Sequence, residues 1–382
     1  MVLRIGIYGG SFNPPHIGHI RSAETASRQL GLDLLFIIPA GAPPHKILPD
    51  GTPSADKRFH MACLAFPDDI VSDIETSNRD ISYSVDTVRS IGEAYPGADL
   101  FLLLGADMYV TLDTWRNSKV LLSAATPAVF SRGSADRLKI AGYSLELRGR
   151  YSAETITIEN SVIEISSSQL REMLPARCGS RYIIDTIYAY IIKYRLYGAK
   201  PEWDWLRGRA HSMLAPSRIP HVDGCEREAV ALAKRWGVDV DDAREAAILH
   251  DITKNLDVDG NLKILEESGI YVGAVAYAEE KLLHSKSGAE LARSEFGVSD
   301  GVADAIRWHT TGRAGMSALE KVIYLADYIE PTRDFDGVGE LRRLAYTDLA
   351  AAMKMGLEMS ITDMVQRGII PNMTTYDALG DL

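Results

Sequence analysis

Positive charge is in short supply in this chain: 41 Lys and Arg stand against 52 Asp and Glu, a formal net charge of -11. A general binder of nucleic acid or of an acidic membrane surface needs an excess of cations to neutralise phosphates, so those classes are excluded and any phosphate site must be local. Cysteine is scarcer still. Cys63, Cys178 and Cys225 are far apart, odd in number and without a CxxC pair, which excludes a disulfide framework and a zinc knuckle and fits a reducing cytoplasm. No apolar run is long enough to span a bilayer. Met1 leads straight into the strand-like Leu3–Tyr8, without the basic head and cleavage site of a secretory signal, so a cytoplasmic location is expected. Internal repeats and low-complexity tracts are also missing.

Apolar material is plentiful, at 46% of 382 residues, and that length favours two cores over one. Residues 1 to about 190 alternate short apolar runs with amphipathic stretches, the pattern of a parallel sheet covered by helices. Strand candidates are Leu3–Tyr8, Leu34–Ile38, Ile70–Ile74, Leu100–Leu104, Ala128–Ser131 and Thr155–Ile158. Leu100–Leu104 is apolar on both faces, as a central parallel strand must be. His19–Leu30 reads as a helix stopped by Gly31, and Tyr182–Tyr197 as the last helix of this half. Beyond about 205 the texture is Ala- and Leu-rich and helical. The expected organisation is an α/β Rossmann-like domain over 1–197, a linker over 198–205 containing Gly198 and Pro201, and an all-α domain over 206–382.

The first strand runs into Gly9-Gly10-Ser11-Phe12-Asn13-Pro14-Pro15-His16-Ile17-Gly18-His19, then a helix. This turn is neither a Walker A loop nor GxGxxG. Its glycines let the backbone approach a ligand, and the helix N-terminus offers free N–H groups to phosphate. His16-x-Gly18-His19 puts two imidazoles beside one phosphate, with glycine where a side chain would collide. Imidazolium N–H donors there would stabilise charge on a phosphoryl group and its leaving pyrophosphate.

With these residues the chain resembles the nucleotidyltransferase superfamily marked by HxGH, and more narrowly bacterial nicotinate-nucleotide adenylyltransferases. Pro43-Pro44-His45-Lys46, Leu103-Leu104-Gly105-Ala106-Asp107, Trp115 and Ile165-Ser166-Ser167-Ser168-Gln169-Leu170-Arg171 extend the likeness over nearly the whole first domain. Departures are slight: Asn13 stands where many relatives have Asp, and Ser168 where Thr is usual. The resemblance implies transfer of AMP from ATP to nicotinate mononucleotide with magnesium assisting, His16 and His19 being catalytic. It implies that Ser166, Ser167 and Arg171 hold the triphosphate tail and that Lys46 adds a point charge. Asp107 would contact nucleotide or help place magnesium, and Trp115 would stack on the pyridine ring. Gly9, Gly10, Ser11, Phe12 and Gly105 complete the implied binding set.

The helical half contains His221, His250-Asp251, His284, His309 and Asp327, imidazoles and carboxylates suited to one or two divalent ions. Asp242-Ala243-Arg244-Glu245 reads as a capping-box-like start, which sets the His250-Asp251 pair on a helix. Lys254, one turn on, is near enough to contact a phosphate at the metals. A dinuclear site with a bridging carboxylate would activate water for phosphoanhydride hydrolysis.

The order H…HD…H…H…D, with Ile306–Arg313 and Leu319–Pro331, resembles the HD phosphohydrolase superfamily and within it the YqeK-type symmetrical bis(5'-nucleosyl)-tetraphosphatases, from about Leu206 to beyond Arg343. The resemblance implies splitting of diadenosine tetraphosphate into two ADP with two iron or other divalent ions. His221, His250, Asp251 and Asp327 would hold one ion and His284 and His309 the second. Asp251 would bridge them and act in catalysis with Lys254, while Thr310, Thr311 and Arg313 would bind substrate phosphates. His211 is the alternative first ligand. A metal-free, nucleotide-sensing second domain is the rival reading, and homo-oligomerisation is left open.

Overall fold

The computed structural model describes residues 2–41, 48–77, 82–160, 163, 165–271 and 280–382, the side chains of 280 and 281 excepted. The chain divides into two units, Met1–Lys200 and Pro201–Leu382.

The first unit is built on six strands, β1 (Arg4–Gly10), β2 (Leu34–Pro39), β3 (Ile70–Val71), β4 (Asp99–Gly105), β5 (Thr126–Ser131) and β6 (Ile156–Glu159), in the order β3-β2-β1-β4-β5-β6. Every pairing is parallel, so each crossover carries a helix. The helices are α1 (Ile17–Leu30), α2 (Ala55–Ala65), α3 (Ser84–Ala94), α4 (Ala106–Tyr109), α5 (Ser118–Ala124), α6 (Ser134–Tyr151), α7 (Ser167–Met173) and α8 (Asp185–Lys193). β1 lies between β2 and β4 and packs Ile5 and Ile7 into a core with Leu102, Leu104 and Val129. The order reverses between β1 and β4, and at their carboxyl ends the sheet leaves a crevice where open α/β sheets bind ligands.

All six expected strands form, with β3 shorter than its apolar run. α1 ends where expected, at a left-handed Gly31 with φ 57°. α8 is shorter than the stretch expected to be helical, because Arg195 and Tyr197 take positive φ and turn the chain.

The second unit holds α9 (Trp203–Met213), α10 (Ile219–Trp236), α11 (Val240–Leu249), α12 (Val258–Glu267), α13 (Glu280–Phe296), α14 (Asp300–Trp308), α15 (Ala318–Ile329), α16 (Val338–Thr347), α17 (Leu349–Gln366) and α18 (Met373–Gly380). Residues 203–205, expected in a linker, instead open α9, because Trp203 and Trp205 are partly buried against the core formed by Leu232, Ile248, Ile306 and Leu325. α11 is capped three residues before the expected cap: Asp239 accepts the N–H groups of Asp241 and Asp242. No described helix is long and apolar enough to cross a membrane.

Candidate functional sites

The turn after β1 is fixed by its own histidines. His16 Nδ1 accepts the Gly18 N–H at 3.1 Å and His19 Nδ1 accepts the His16 N–H at 3.2 Å, a reciprocal cap on α1 made of two imidazoles. With Nδ1 accepting, a neutral ring carries its proton on Nε2, so both rings have an N–H left to offer. Burial pushes His16 down to about 4, and the positive charge of Arg132 adds to it. Burial, then His16, then Arg132 hold His19 well below its usual value. In the free protein the donors are therefore neutral imidazoles and not the imidazolium pair expected from sequence, because capping and burial both favour the uncharged ring. Gly18 is required at its position: a Cβ there would stand 2.9 Å from the His16 ring.

Two cations, Arg58 buried and Arg171 half-buried, brace the same turn from behind. Arg58, 1% exposed on α2, donates to Ser11 O at 3.0 Å, Ala40 O at 2.6 Å and Gly41 O at 2.9 Å, tying the turn after β1 to the one after β2. Arg171 on α7 donates to Asn13 O at 2.8 Å and Tyr197 donates to Asn13 Oδ1 at 2.8 Å. Ser167 Oγ donates to Pro14 O, while Ser166 caps α7 by accepting the Gln169 N–H. In place of Asp, Asn13 also donates, to Thr52 Oγ1 at 3.0 Å.

A cavity of about 580 Å³ opens at the carboxyl ends of β1 and β4. Gly9, Gly10, Ser11, Gly105, Asp107 and Trp115 of the expected set line it, together with Glu75, Tyr83 and Arg116, which sequence reading missed. A Cβ at Gly9 or at Gly105 would meet no protein atom within 4 Å, so both leave room for a ligand against the backbone. Arg116 lies over the Tyr83 ring, 4.4 Å from its centroid, and Trp115 Nε1 donates to Thr111 Oγ1. Two expectations change. Phe12 has no exposed surface: its ring packs on Tyr8, His19 and Phe66, so it supports His19 and can meet a ligand only through its backbone. Arg171 reaches the backbone of the turn, and its outer face borders a separate cavity with Lys57 and Arg195. Lys46 lies outside the described residues.

In the second unit, helix ends aim the imidazoles. His250 follows the last residue of α11 and its Nδ1 lies 2.7 Å from Ala247 O; His309 follows α14 with Nδ1 2.6 Å from Ile306 O. The same device occurs twice: a helix C-terminal carbonyl without an intrahelical donor takes the Nδ1 proton and leaves Nε2 pointing inward. The His250-Asp251 pair thus lies past the end of α11 and not within it, contrary to the sequence expectation. His221, on α10, has Nδ1 3.0 Å from Glu330 Oε1, a carboxylate behind the ring. The alternative, His211, is instead bonded to Asp223 at 3.0 Å.

Asp251, with no exposed surface, stands between two pairs of histidines. Its Oδ2 is 3.4 Å from His250 Nε2 and 3.9 Å from His221 Nε2, and its Oδ1 is 3.3 Å from His284 Nε2 and 3.7 Å from His309 Nε2. Asp327 Oδ1 is 3.1 Å from His221 Nε2. Burial alone would raise the Asp327 carboxyl, but the His221 hydrogen bond and its positive neighbours hold it well below the carboxylate range. The residues fit divalent ions on three counts. Nε2 atoms face each other at 3.3 Å in both the His221–His250 and His284–His309 pairs, and Asp251 Oδ1 is buried without a well-oriented donor. The donors, imidazole nitrogen and carboxylate oxygen, suit iron, zinc or manganese.

Three cations border the cluster. Lys254 Nζ is 3.0 Å from His284 Nε2, and burial lowers its pKa against the pull of Asp251. Arg218 donates to Asp251 Oδ2 at 2.6 Å and Arg333 to Asp327 Oδ1 at 2.7 Å, and neither was anticipated. Arg313, expected on phosphate, is instead paired with the buried Glu320, Nε to Oε1 at 2.6 Å. Thr311 is buried with its hydroxyl donated to Gly312 O, and Thr310 reaches Ser285 Oγ at 3.4 Å.

Comparison with known proteins gives two family matches, a Cytidylyltransferase-like family over residues 7–173 and the HD domain over 218–332. The symmetrical bis(5'-nucleosyl)-tetraphosphatase of Halalkalibacterium halodurans is 40% identical over 181 residues, 45% of this chain and 96% of that protein. Its Bacillus subtilis counterpart is also 40% identical, over 40% of this chain and 83% of that protein. A probable nicotinate-nucleotide adenylyltransferase of Carboxydothermus hydrogenoformans is 35% identical over 198 residues, 51% of this chain and 98% of the relative. The chain is therefore an enzyme that belongs to two families in succession, the nicotinate-nucleotide adenylyltransferases through its α/β unit and the HD-domain symmetrical bis(5'-nucleosyl)-tetraphosphatases through its helical unit.

Proposed function

We propose that the Met1–Lys200 unit transfers AMP from ATP to the phosphate of nicotinate mononucleotide, releasing pyrophosphate, and that the Pro201–Leu382 unit hydrolyses diadenosine tetraphosphate to two ADP. The names of the relatives support both substrate classes, a nicotinate nucleotide and a bis(5'-nucleosyl) tetraphosphate. The observation that carries the hydrolytic half is the Asp251 carboxylate, one oxygen toward His221 and His250 and the other toward His284 and His309.

In the first unit no protein nucleophile is needed. Catalysis consists of alignment and charge stabilisation: the mononucleotide phosphate attacks the ATP α-phosphorus in line, and magnesium travels with ATP as its counter-charge. His16 and His19 donate Nε2–H to the phosphates, and the turn braced by Arg58 and Arg171 keeps those donors from drifting. Trp115 offers the pyridine ring an aromatic face in the cavity.

In the second unit His221, His250, Asp251 and Asp327 would hold one ion and His284 with His309 another, Asp251 serving both. Such a pair supplies an activated water at neutral pH and positive charge for the polyphosphate. Glu330, Ala247 O and Ile306 O fix the imidazoles, while Lys254, Arg218 and Arg333 offer cations to the substrate phosphates.

Assays of the purified chain test both halves. ATP with nicotinate mononucleotide should yield the dinucleotide and pyrophosphate, faster than ATP with nicotinamide mononucleotide. Diadenosine tetraphosphate with iron or manganese should yield only ADP. A metal-free second unit that binds the tetraphosphate without cleaving it would overturn the hydrolytic half in favour of a sensor.

A further inference from the structure

One buried nucleophile in the second unit is unused by the mechanism above. Cys225 lies one turn after His221 on α10, so both side chains share a helix face. It is 1% exposed. Its Sγ is 3.5 Å from His221 Nε2, and its other hydrogen-bond contact among the described residues is a long one, 3.8 Å to Ala326 O. The donor atoms of His221, Cys225, His250 and Asp327 all lie within 4.8 Å of one another.

The spacings measured from His221 Nε2 match the edges of a coordination polyhedron. Around one tetrahedral ion, two imidazole nitrogens stand about 3.4 Å apart and a nitrogen and a thiolate sulfur about 3.6 Å apart. Measured from His221 Nε2, the distances are 3.3 Å to His250 Nε2, 3.1 Å to Asp327 Oδ1 and 3.5 Å to Cys225 Sγ. A second observation is independent of the cysteine: His250, wholly buried with Nδ1 held by Ala247 O, turns its Nε2 to the same centre.

We propose that Cys225 is a thiolate ligand of the ion held by His221, His250 and Asp327, making that half of the centre select soft or borderline metals such as iron, zinc and cobalt over manganese and magnesium. On loading, the thiol gives up its proton to solvent and its sulfur bonds the ion, so no oxidant or reductant enters. Asp251 still serves both ions, the position held by His284 and His309 keeps a purely nitrogen and oxygen environment, and the two positions differ in softness. The inference rests on the metal-centre reading above.

Cobalt(II) added to the full chain in the absence of other metals tests it. The host is a Cys63→Ser/Cys178→Ser background, which removes the two cysteines of the first unit. An intense near-ultraviolet sulfur-to-cobalt band should appear on loading, and should vanish in Cys225→Ser and Cys225→Ala while cobalt still binds. Zinc affinity should fall on the order of tenfold or more in both variants, and manganese affinity much less. Two variants guard against one failing to fold, with far-ultraviolet circular dichroism as the check. Cobalt bound without the band in the host, or a band that survives loss of Cys225, overturns the ligand assignment and leaves the metal centre standing. Failure of the host to bind cobalt at all overturns both.

Discussion

His16 and His19 lie with ring centroids 3.8 Å apart, each with its Nδ1 committed to a backbone N–H of the turn they share. The Nδ1 atoms make a structural cap, and each ring keeps its Nε2–H free for the phosphate role proposed above.

The cap has a pH signature. His16 is lowered from 6.5 to about 4, so between those values the unfolded chain holds a proton that the folded chain does not. Stability contributed by this site is complete above about 6.5 and is lost as pH falls toward 4; His19, shifted the same way, deepens the slope. Imidazole Cε1–H resonances followed by NMR should show His16 neutral down to about pH 4. A His16→Gln variant should lose first-unit stability less steeply in acid. A His16 resonance titrating near 6.5 would contradict this.

Arg58→Met should destabilise the first unit. The substitution takes the guanidinium away from the carbonyls of Ser11, Ala40 and Gly41, at a cost of roughly 3 kcal/mol or more. Arg58→Lys should recover little, since one ammonium cannot reproduce the planar fork. Thermal unfolding reads the outcome, and an unchanged first-unit transition in Arg58→Met would refute the bracing role.

Arg313→Gln separates structure from substrate binding. Because Arg313 pairs with the buried Glu320, its loss should cost about 2–3 kcal/mol of second-unit stability. KM for diadenosine tetraphosphate should stay nearly unchanged. A large rise in KM at unchanged stability would return Arg313 to the phosphate-binding role its motif implies.

Legibility in the sequence followed the range of the interaction. Strands such as Leu100–Leu104 were readable because burial on both faces leaves a local apolar run, and the HxGH spacing was readable because the cap closes within four residues. The cluster of histidines and aspartates was legible as residue types in order. Its supports were not: Arg218 reaches Asp251 across 33 positions and His221 reaches Glu330 across 109, with no periodicity to announce either. Glu330 did leave a trace, one helical turn beyond Asp327. Asp242 misled as a cap because Asp239, three residues earlier, had the same chemistry and a better position.

Inactivating the two sites separately tests the central claim of two self-contained enzymes in one chain. His16→Ala/His19→Ala should lower dinucleotide synthesis by at least about a hundredfold and leave tetraphosphate hydrolysis intact, while His250→Ala/Asp251→Ala should do the reverse. Loss of both activities from either folded double variant would contradict the account.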